Sequence, residues 1–504
     1  MLKKSALVLL SIFLLKGTCL ALPLLETQDF ILSMDTYFRN DLVTFKNLVD
    51  LESHNNDDTT IYLGIDYSFA GNLEFKNGGP KYYLKLERNG PGDYDAPLFA
   101  HNTLMTTGGV IEEYRNDELL PQVEEFWLDT PLRNSLRFKL GLYTYEVGEG
   151  FSLNGAYENY GFTLYRQWQN AVLRLYYCRP DSYYKNHMGP RIRQEQEQGY
   201  VYNHNAANFF ATDVRFHWDE SYLNPYIGVL TDHTSEGKRN NLFSAPTKRD
   251  ILGTIGFACS LKENKLSFTT EMAHNFGKAK SADIAYKDIY HTGYMFYTNM
   301  GYNLGRATPS FKFLLSSGNK LTLDMATNQD STLTSAKNRA FSYYSPFNTN
   351  LDDSIGSCHA EIRPLLAMGS CYSLNFGVPR PRTFAVSDFD NLIIASLGLN
   401  FEFTKKLNSS LDGFYLWSRE RGVGTFAGEA KYLSRNLGSE IDLTIDYALN
   451  KNILLSVSGG YFFPGEYYKE ERDDTDGSLF SPYLRGDGEA NSAYLVEISM
   501  ELQF

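Results

Sequence analysis

Two short phrases in this chain place like charges at alternate positions. Arg137 and Lys139 stand in LRFKLGLYTY, and Glu440 and Asp442 stand in SEIDLTIDY. In an extended chain, positions i and i+2 share one face, so each phrase projects a doubled charge in one direction. Opposite charges lining a confined wet space set a local field that sorts ions and polar solutes, whatever the whole chain's net charge. The same period adds Lys85, Arg174, Arg215 and Lys312 to the cations of that face. Among its further carboxylates it adds Asp213, Glu271, Asp412, Asp446, Glu497 and Glu501. The acids outnumber the bases, so the expected lining is mixed and leans acidic.

Reactive constellations are missing from the same sequence. There is no H-E-x-x-H, no G-x-S-x-G and no glycine-rich phosphate loop. A lipid-active barrel enzyme needs a serine and a histidine brought together on the outer wall. His274 is expected to point outward with Thr270 nearby, and an interfacial histidine is the plainer reading. The acidic run EERDDTDG at 470–477 lacks the spacing of a calcium loop and reads as a solvated connection. Cys178, Cys259, Cys358 and Cys371 are sparse and widely spaced, without a C-x-x-C unit, so no zinc site is expected and at most Cys358 and Cys371 pair. No cofactor or metal and no catalysis is expected, and a net charge of -13 speaks against a nucleic-acid partner.

The elements that could hold such charges on one face are strands. The chain begins MLKKSALVLLSIFLLKGTCLA, with Lys3 and Lys4 ahead of an apolar run and small residues leading to Ala21. This is the pattern of a secretory signal peptide over 1–21, cut near Ala21. A lipoprotein reading through Cys19 fits poorly, because Lys16, Gly17 and Thr18 do not form a lipid-attachment box. Beyond it, no stretch reaches the roughly 18 apolar residues of a spanning helix, so any membrane span must be β. Aromatic residues make up 15% of the chain, with 36 Tyr and 34 Phe. Such amphipathic rings suit the interfacial girdles of a membrane barrel.

The last phrase, AYLVEISMELQF, alternates Tyr494, Val496, Ile498, Met500, Leu502 and Phe504 against polar neighbours. Alone it fits either a sandwich edge strand or a wall strand whose apolar side meets lipid. Loop lengths discriminate. About eighteen strand-like runs can be placed between 29 and 504, and the links between them alternate short with long around the whole chain. Transmembrane barrels have that parity, with short periplasmic turns and long external loops. The expected fold is therefore all-β: a transmembrane antiparallel barrel of about 18 strands over 22–504, with long extracellular loops. Runs 122–130 and 222–231 do not resolve into faces. The segment 318–390 is either a cap or plug folded into the pore, or an ordinary outer loop.

Several phrases resemble the alginate-export family of outer-membrane barrels. EEFWLD at 124–129 followed by LRFKLGLYTYEVGEG is similar to a paired-strand motif of that family. FYLWSRERG, LGSEIDLTIDY and GGYFFPGEYY follow in the family's order near the carboxyl end. The resemblance implies an eighteen-stranded channel in the cell outer membrane that passes an anionic polysaccharide through an arginine-rich constriction. Arg137, Arg419 and Arg421 match or nearly match arginines of that pattern. The family's G-R-Q position reads Gly141-Leu142-Tyr143 here, and Glu124 stands where an arginine is expected. The expected pore lining is Arg137, Lys139, Arg174, Arg215, Lys312, Glu440, Asp442 and Arg419. The expected partners are outer-membrane lipids, a saccharide or small solute in the lumen, and the barrel-assembly machinery, reached through the strand ending at Phe504.

Overall fold

The computed structural model describes residues 22–46, 59–88, 122–133, 135–179, 207–232, 247–281, 288–320, 337–339, 391–427, 429–470 and 490–503. Residues 1–21, where a signal peptide is expected, Cys358, Cys371, Phe504, the acidic run beyond Glu470 and most of 318–390 lie outside them.

Alternating sequences become strands because the extended backbone sends successive side chains to opposite faces, and only a closed ring leaves no unpaired edge within a membrane. The ring consists of Phe30–Lys46 (β1), Thr59–Phe75 (β2), Lys81–Arg88 (β3), Gln122–Pro131 (β4), Leu136–Val147 (β5) and Leu153–Gln167 (β6). It continues through Ala171–Arg179 (β7), Ala207–Trp218 (β8), Ser221–Asp232 (β9), Thr247–Glu263 (β10), Leu266–Ser281 (β11) and Tyr294–Tyr302 (β12). Ala307–Ser316 (β13), Leu392–Thr404 (β14), Leu407–Ser418 (β15), Asn436–Asn450 (β16), Ile453–Pro464 (β17) and Ala493–Gln503 (β18) complete it. Each strand pairs antiparallel with its sequence neighbours, and β18 closes on β1 from Tyr37↔Gln503 to Lys46↔Tyr494. The result is a closed 18-strand antiparallel barrel.

Closure uses only part of the first strand. β1 runs on to Lys46, and β18 lies along its second half. The first half is covered instead by the strand Leu22–Glu26, in register Leu22↔Met34 to Glu26↔Ile31. Together the two partners cover most of the β1 edge.

Facing follows the period-two reading. Ile441, Leu443, Ile445 and Tyr447 of β16 stand exposed on the outer face, while Glu440 and Asp442 are buried inside. On β18, Val496 and Ile498 are exposed, and Leu495, Glu497 and Ser499 are buried. Exposed Leu84, Phe126, Leu140, Phe162, Phe210, Met272 and Leu397 continue the belt around the ring. Leaving each such side chain in water would forgo about 1.5–3 kcal/mol of burial, which a lipid surround restores. His274 lies on this outer face, and the Thr270 hydroxyl donates to the Tyr297 carbonyl at 2.7 Å.

Two runs that defy alternation now have physical explanations. In β4 the register against β3 shifts between Lys85 and Leu86, so Glu124 is an extra residue and the parity flips there. In β9 the inward residues Asn224, Tyr226, Gly228 and Leu230 are mostly apolar, because something inside the barrel packs against them.

Candidate functional site

What packs there is the end of the β5–β6 hairpin. Beyond Phe126↔Leu142 the β5 ladder to β4 stops, and β6 joins β7 only from Tyr160↔Arg179 onward. Between those points, residues 143–159 pair mainly with each other and leave the wall, with a register shift between Tyr143 and Tyr145. The departure occurs at the cross-strand pair Gly141↔Gly161. Gly141 has φ 143°, and a Cβ there would strike the Phe126 carbonyl and the Trp127 backbone, so only glycine allows the bend. At Gly161 the missing side chain makes room for the Tyr145 ring, whose hydroxyl donates to the Tyr177 carbonyl at 2.9 Å.

The bent-in hairpin lays Tyr143, Tyr145, Val147 and Leu153 on Tyr176, Cys178, Phe209, Ala211, Tyr226 and Leu230 of the wall. Its tip, Gly148–Ser152, reaches further around the bore. The Arg215 guanidinium donates to the Gly148 carbonyl at 3.0 Å, and Asn224 Oδ1 accepts from the Gly148 N–H at 3.0 Å. The Phe151 ring lies 4.2 Å from Tyr297 of β12, centroid to centroid. Residues 145–159 are thus more than an outer loop: the strands continue inward and leave a five-residue turn. The two consecutive glycine-containing steps in VGEG, and Gly141 and Gly161 flanking the hairpin, were the only sequence signals of it.

Two further connections enter or cover the bore. After β17 the short helix α1, Glu466–Lys469, buries Tyr467 and Tyr468, the latter edge-on to Phe462 at 6.1 Å. From 318–390, Lys337–Asn338 pairs in parallel with Ile289–His291, and the Arg339 N–H donates to Asn319 Oδ1 at 2.7 Å. His291 in turn meets Asp250 at 2.8 Å, both buried. Those pieces fold back on the barrel, and the rest of that segment lies outside the described residues.

The anticipated lining residues fall on two arcs. On the first, β3 to β8, cations alternate with rings. Lys139 Nζ sits 4.0 Å from the centroids of both Trp127 and Tyr143, and Tyr83 stacks on Trp127 at 5.2 Å. Trp127 donates to Glu125 at 3.1 Å. Arg137 Nε donates to Asp129 at 3.0 Å, and the guanidinium also reaches the turn carbonyls of Gly78 and Gly79 at 3.4 Å each. Arg174 grips Asp213 with two nitrogens at 2.9 and 2.7 Å, and Asn224 donates to the same carboxylate at 2.7 Å. Arg215 stacks over Tyr222 at 4.5 Å.

The second arc, β13 to β18 and β1, is carboxylate-rich. Asp412 and Asp442 are direct cross-strand neighbours, an arrangement that like charges make unfavourable, and Lys312 meets Asp412 at 3.0 Å. Asp446 accepts from Ser456 at 2.6 Å. Arg39 is ion-paired with Glu497 and lies 3.8 Å from Glu501. Glu440 is 1 % exposed, beside Phe414 and Phe462 on its two neighbouring strands.

Arg137 and Lys139 are matched by Asp129 and Glu125 on the adjacent strand, because nearest wall neighbours lie closer than any group across the bore. Arg419 stands apart from the other seven: it follows the end of β15 and lays its guanidinium over Tyr294, a ring of the outer face, at 4.7 Å. Sequence reasoning missed Glu125, Trp127, Asp129 and Arg39 as inward groups, the first three because the bulge at Glu124 hid the parity.

A ring closed without edges, an apolar outer belt and a charged interior define an outer-membrane β-barrel channel. Residues 375–481, a minority of the chain, match the model of the alginate-export family, and the closed eighteen-strand ring is of the outer-membrane barrel kind. No curated protein matches it significantly. Among solved structures it is similar to a BenF-like porin from Pseudomonas fluorescens Pf-5, at 10% identity and TM-score 0.50, covering 94% of this chain and 99% of that one. Pseudomonas aeruginosa OccK9 (OpdG) at 9% identity and OpdQ at 8% identity have the same TM-score of 0.50, covering 94% of this chain and 98% of each. At such identities the likeness is one of fold.

Proposed function

We propose that the chain is a passive channel for small saccharides and polar solutes of similar size. The observation that carries this is the β5–β6 hairpin, which folds into the bore from Tyr143 and ties its tip to Asn224 of β9 and Glu271 of β11. A bore narrowed by a fixed hairpin favours short solutes over a thick or branched polymer. The polar and aromatic lining offers hydrogen bonds and flat faces suited to sugars. Reconstitution into liposomes tests the reading: swelling rates in mono- and disaccharides should exceed those in longer oligosaccharides by roughly tenfold or more. No swelling in any sugar, with no conductance in planar bilayers, would remove the proposal.

A second reading, export of an anionic polysaccharide, is favoured by the family match over 375–481 and by the rings and cations around Lys139. An oligouronate added to one side of a bilayer should then interrupt the current, whereas neutral oligosaccharides of the same length should not. The alternatives of a surface adhesin or a lipid-active enzyme have no site among the described residues to support them.

Assembly belongs to the same proposal. The alternation of β18 up to Phe504 supports recognition of this strand by the barrel-assembly machinery. Deleting Phe504 should lower the heat-modifiable barrel in outer-membrane fractions, and unchanged levels would refute the role.

A further inference from the structure

We propose that the Glu271 carboxylate is the positioning group that fixes the aperture of the bore, by holding the hairpin tip Gly148–Ser152 against β9 to β12. The inference rests on the channel reading and adds to it the residue that sets the size limit.

Glu271 lies on the inner face of β11, opposite Ala258 and Tyr297, and is fully buried. One carboxylate oxygen accepts the Ser152 hydroxyl at 2.7 Å and the Tyr226 hydroxyl at 2.6 Å, and those two hydroxyls are themselves 2.5 Å apart. The other oxygen accepts the Glu149 N–H at 2.8 Å and the Phe151 N–H at 3.4 Å. Three of the four donors come from a turn that belongs to strands on another part of the ring. A carboxylate has acceptor sites for all four of these groups. The wall strands do not depend on this arrangement for their pairing, since the β10–β11 and β11–β12 registers run through Glu271 without a break. The group therefore stands where a charge-assisted anchor for the turn is required, and Gly148 fits against it, its missing Cβ lying 3.0 Å from Glu271 Oε2.

The competing account is that the aromatic cluster of Tyr143, Tyr145, Val147 and Leu153 holds the hairpin without help. Full-length protein carrying Glu271→Ala, Glu271→Gln, or Ser152→Ala with Tyr226→Phe separates the two. If Glu271 is the anchor, Glu271→Ala raises unit conductance and the size of polyethylene glycol that enters the pore, and its open level becomes noisy. Glu271→Gln and the double variant fall between it and the wild type. Independently of conductance, amide exchange at Glu149 and Phe151 accelerates by about ten- to a hundredfold in Glu271→Ala, the factor expected for losing charge-assisted hydrogen bonds. Exchange as slow as in the wild type, or a folded variant with unchanged conductance and size limit, overturns the proposal in favour of the aromatic cluster. Should Glu271→Ala fail to give a heat-modifiable barrel, the double variant decides: an unchanged size limit together with unchanged exchange at Phe151 overturns it. A wild type that does not conduct defeats the channel reading, while the exchange comparison still decides the anchor.

Discussion

The two arcs of the bore solve the problem of confined charge differently. From β3 to β8 the cations are met close by: Arg137 by Asp129, Arg174 by Asp213, Lys139 by ring faces with Glu125 near, and Arg215 by the Tyr222 ring and the Gly148 carbonyl. From β13 to β1 the carboxylates of Asp412, Glu440, Asp442, Asp446, Glu497 and Glu501 share the face with Lys312 and Arg39. The first arc is a set of locally compensated pairs that hold the wall and the hairpin together. Among the described residues the second carries more carboxylates than cations. The lesson is that the count of cations says little about selectivity, because a charge clamped to its neighbour contributes mainly to structure.

The largest effect that would break this contrast is on stability. Arg174→Ala leaves the buried Asp213 with the Asn224 amide but without its hydrogen-bonded cation, and should destabilise the barrel by about 3–5 kcal/mol. Glu501→Gln, at a half-exposed and loosely held pair, should change it by less than about 1 kcal/mol. Urea titration of heat-modifiable protein in detergent measures both. Equal effects would mean that the arcs do not differ in kind. Next comes the bend: Gly141→Val places a side chain at φ 143° against the Phe126 carbonyl and should cost about 1–3 kcal/mol while loosening the hairpin. An unaltered urea midpoint with unaltered conductance would show that the hairpin does not depend on it.

Selectivity sharpens the contrast further. The wild-type channel should prefer cations in a salt gradient, and Asp442→Asn with Asp446→Asn should shift the reversal potential toward anions. Arg137→Gln should move it the opposite way, toward cations, since it leaves the Asp129 carboxylate without its cation. Raising the salt should blunt every shift, as screening acts over about 8 Å at physiological ionic strength. The smallest expected effect is Trp127→Ala, which removes a ring beside Lys139 and should weaken any block by an anionic oligosaccharide by roughly two- to fivefold, with open conductance nearly unchanged.

Much of this architecture was legible in the amino-acid order. The period of two assigned Ile441 and Leu443 to the lipid and Glu440 and Asp442 to the bore, since a strand has no freedom to turn one residue without turning all. Loop-length parity carried the number of strands, because a closed antiparallel barrel must begin and end on the same side. The order also showed which charges share a face. What it could not show was what each charge touches. The bulge at Glu124, the inward bend at Gly141 and Gly161, and the seat of the Gly148–Ser152 turn on Glu271 each depend on residues far apart in the chain meeting across the ring. Period and parity are local and repeat along the chain, so sequence alone determines them. The meeting of Ser152, Tyr226 and Glu271 exists only once the ring has closed and fixed the distance between its walls.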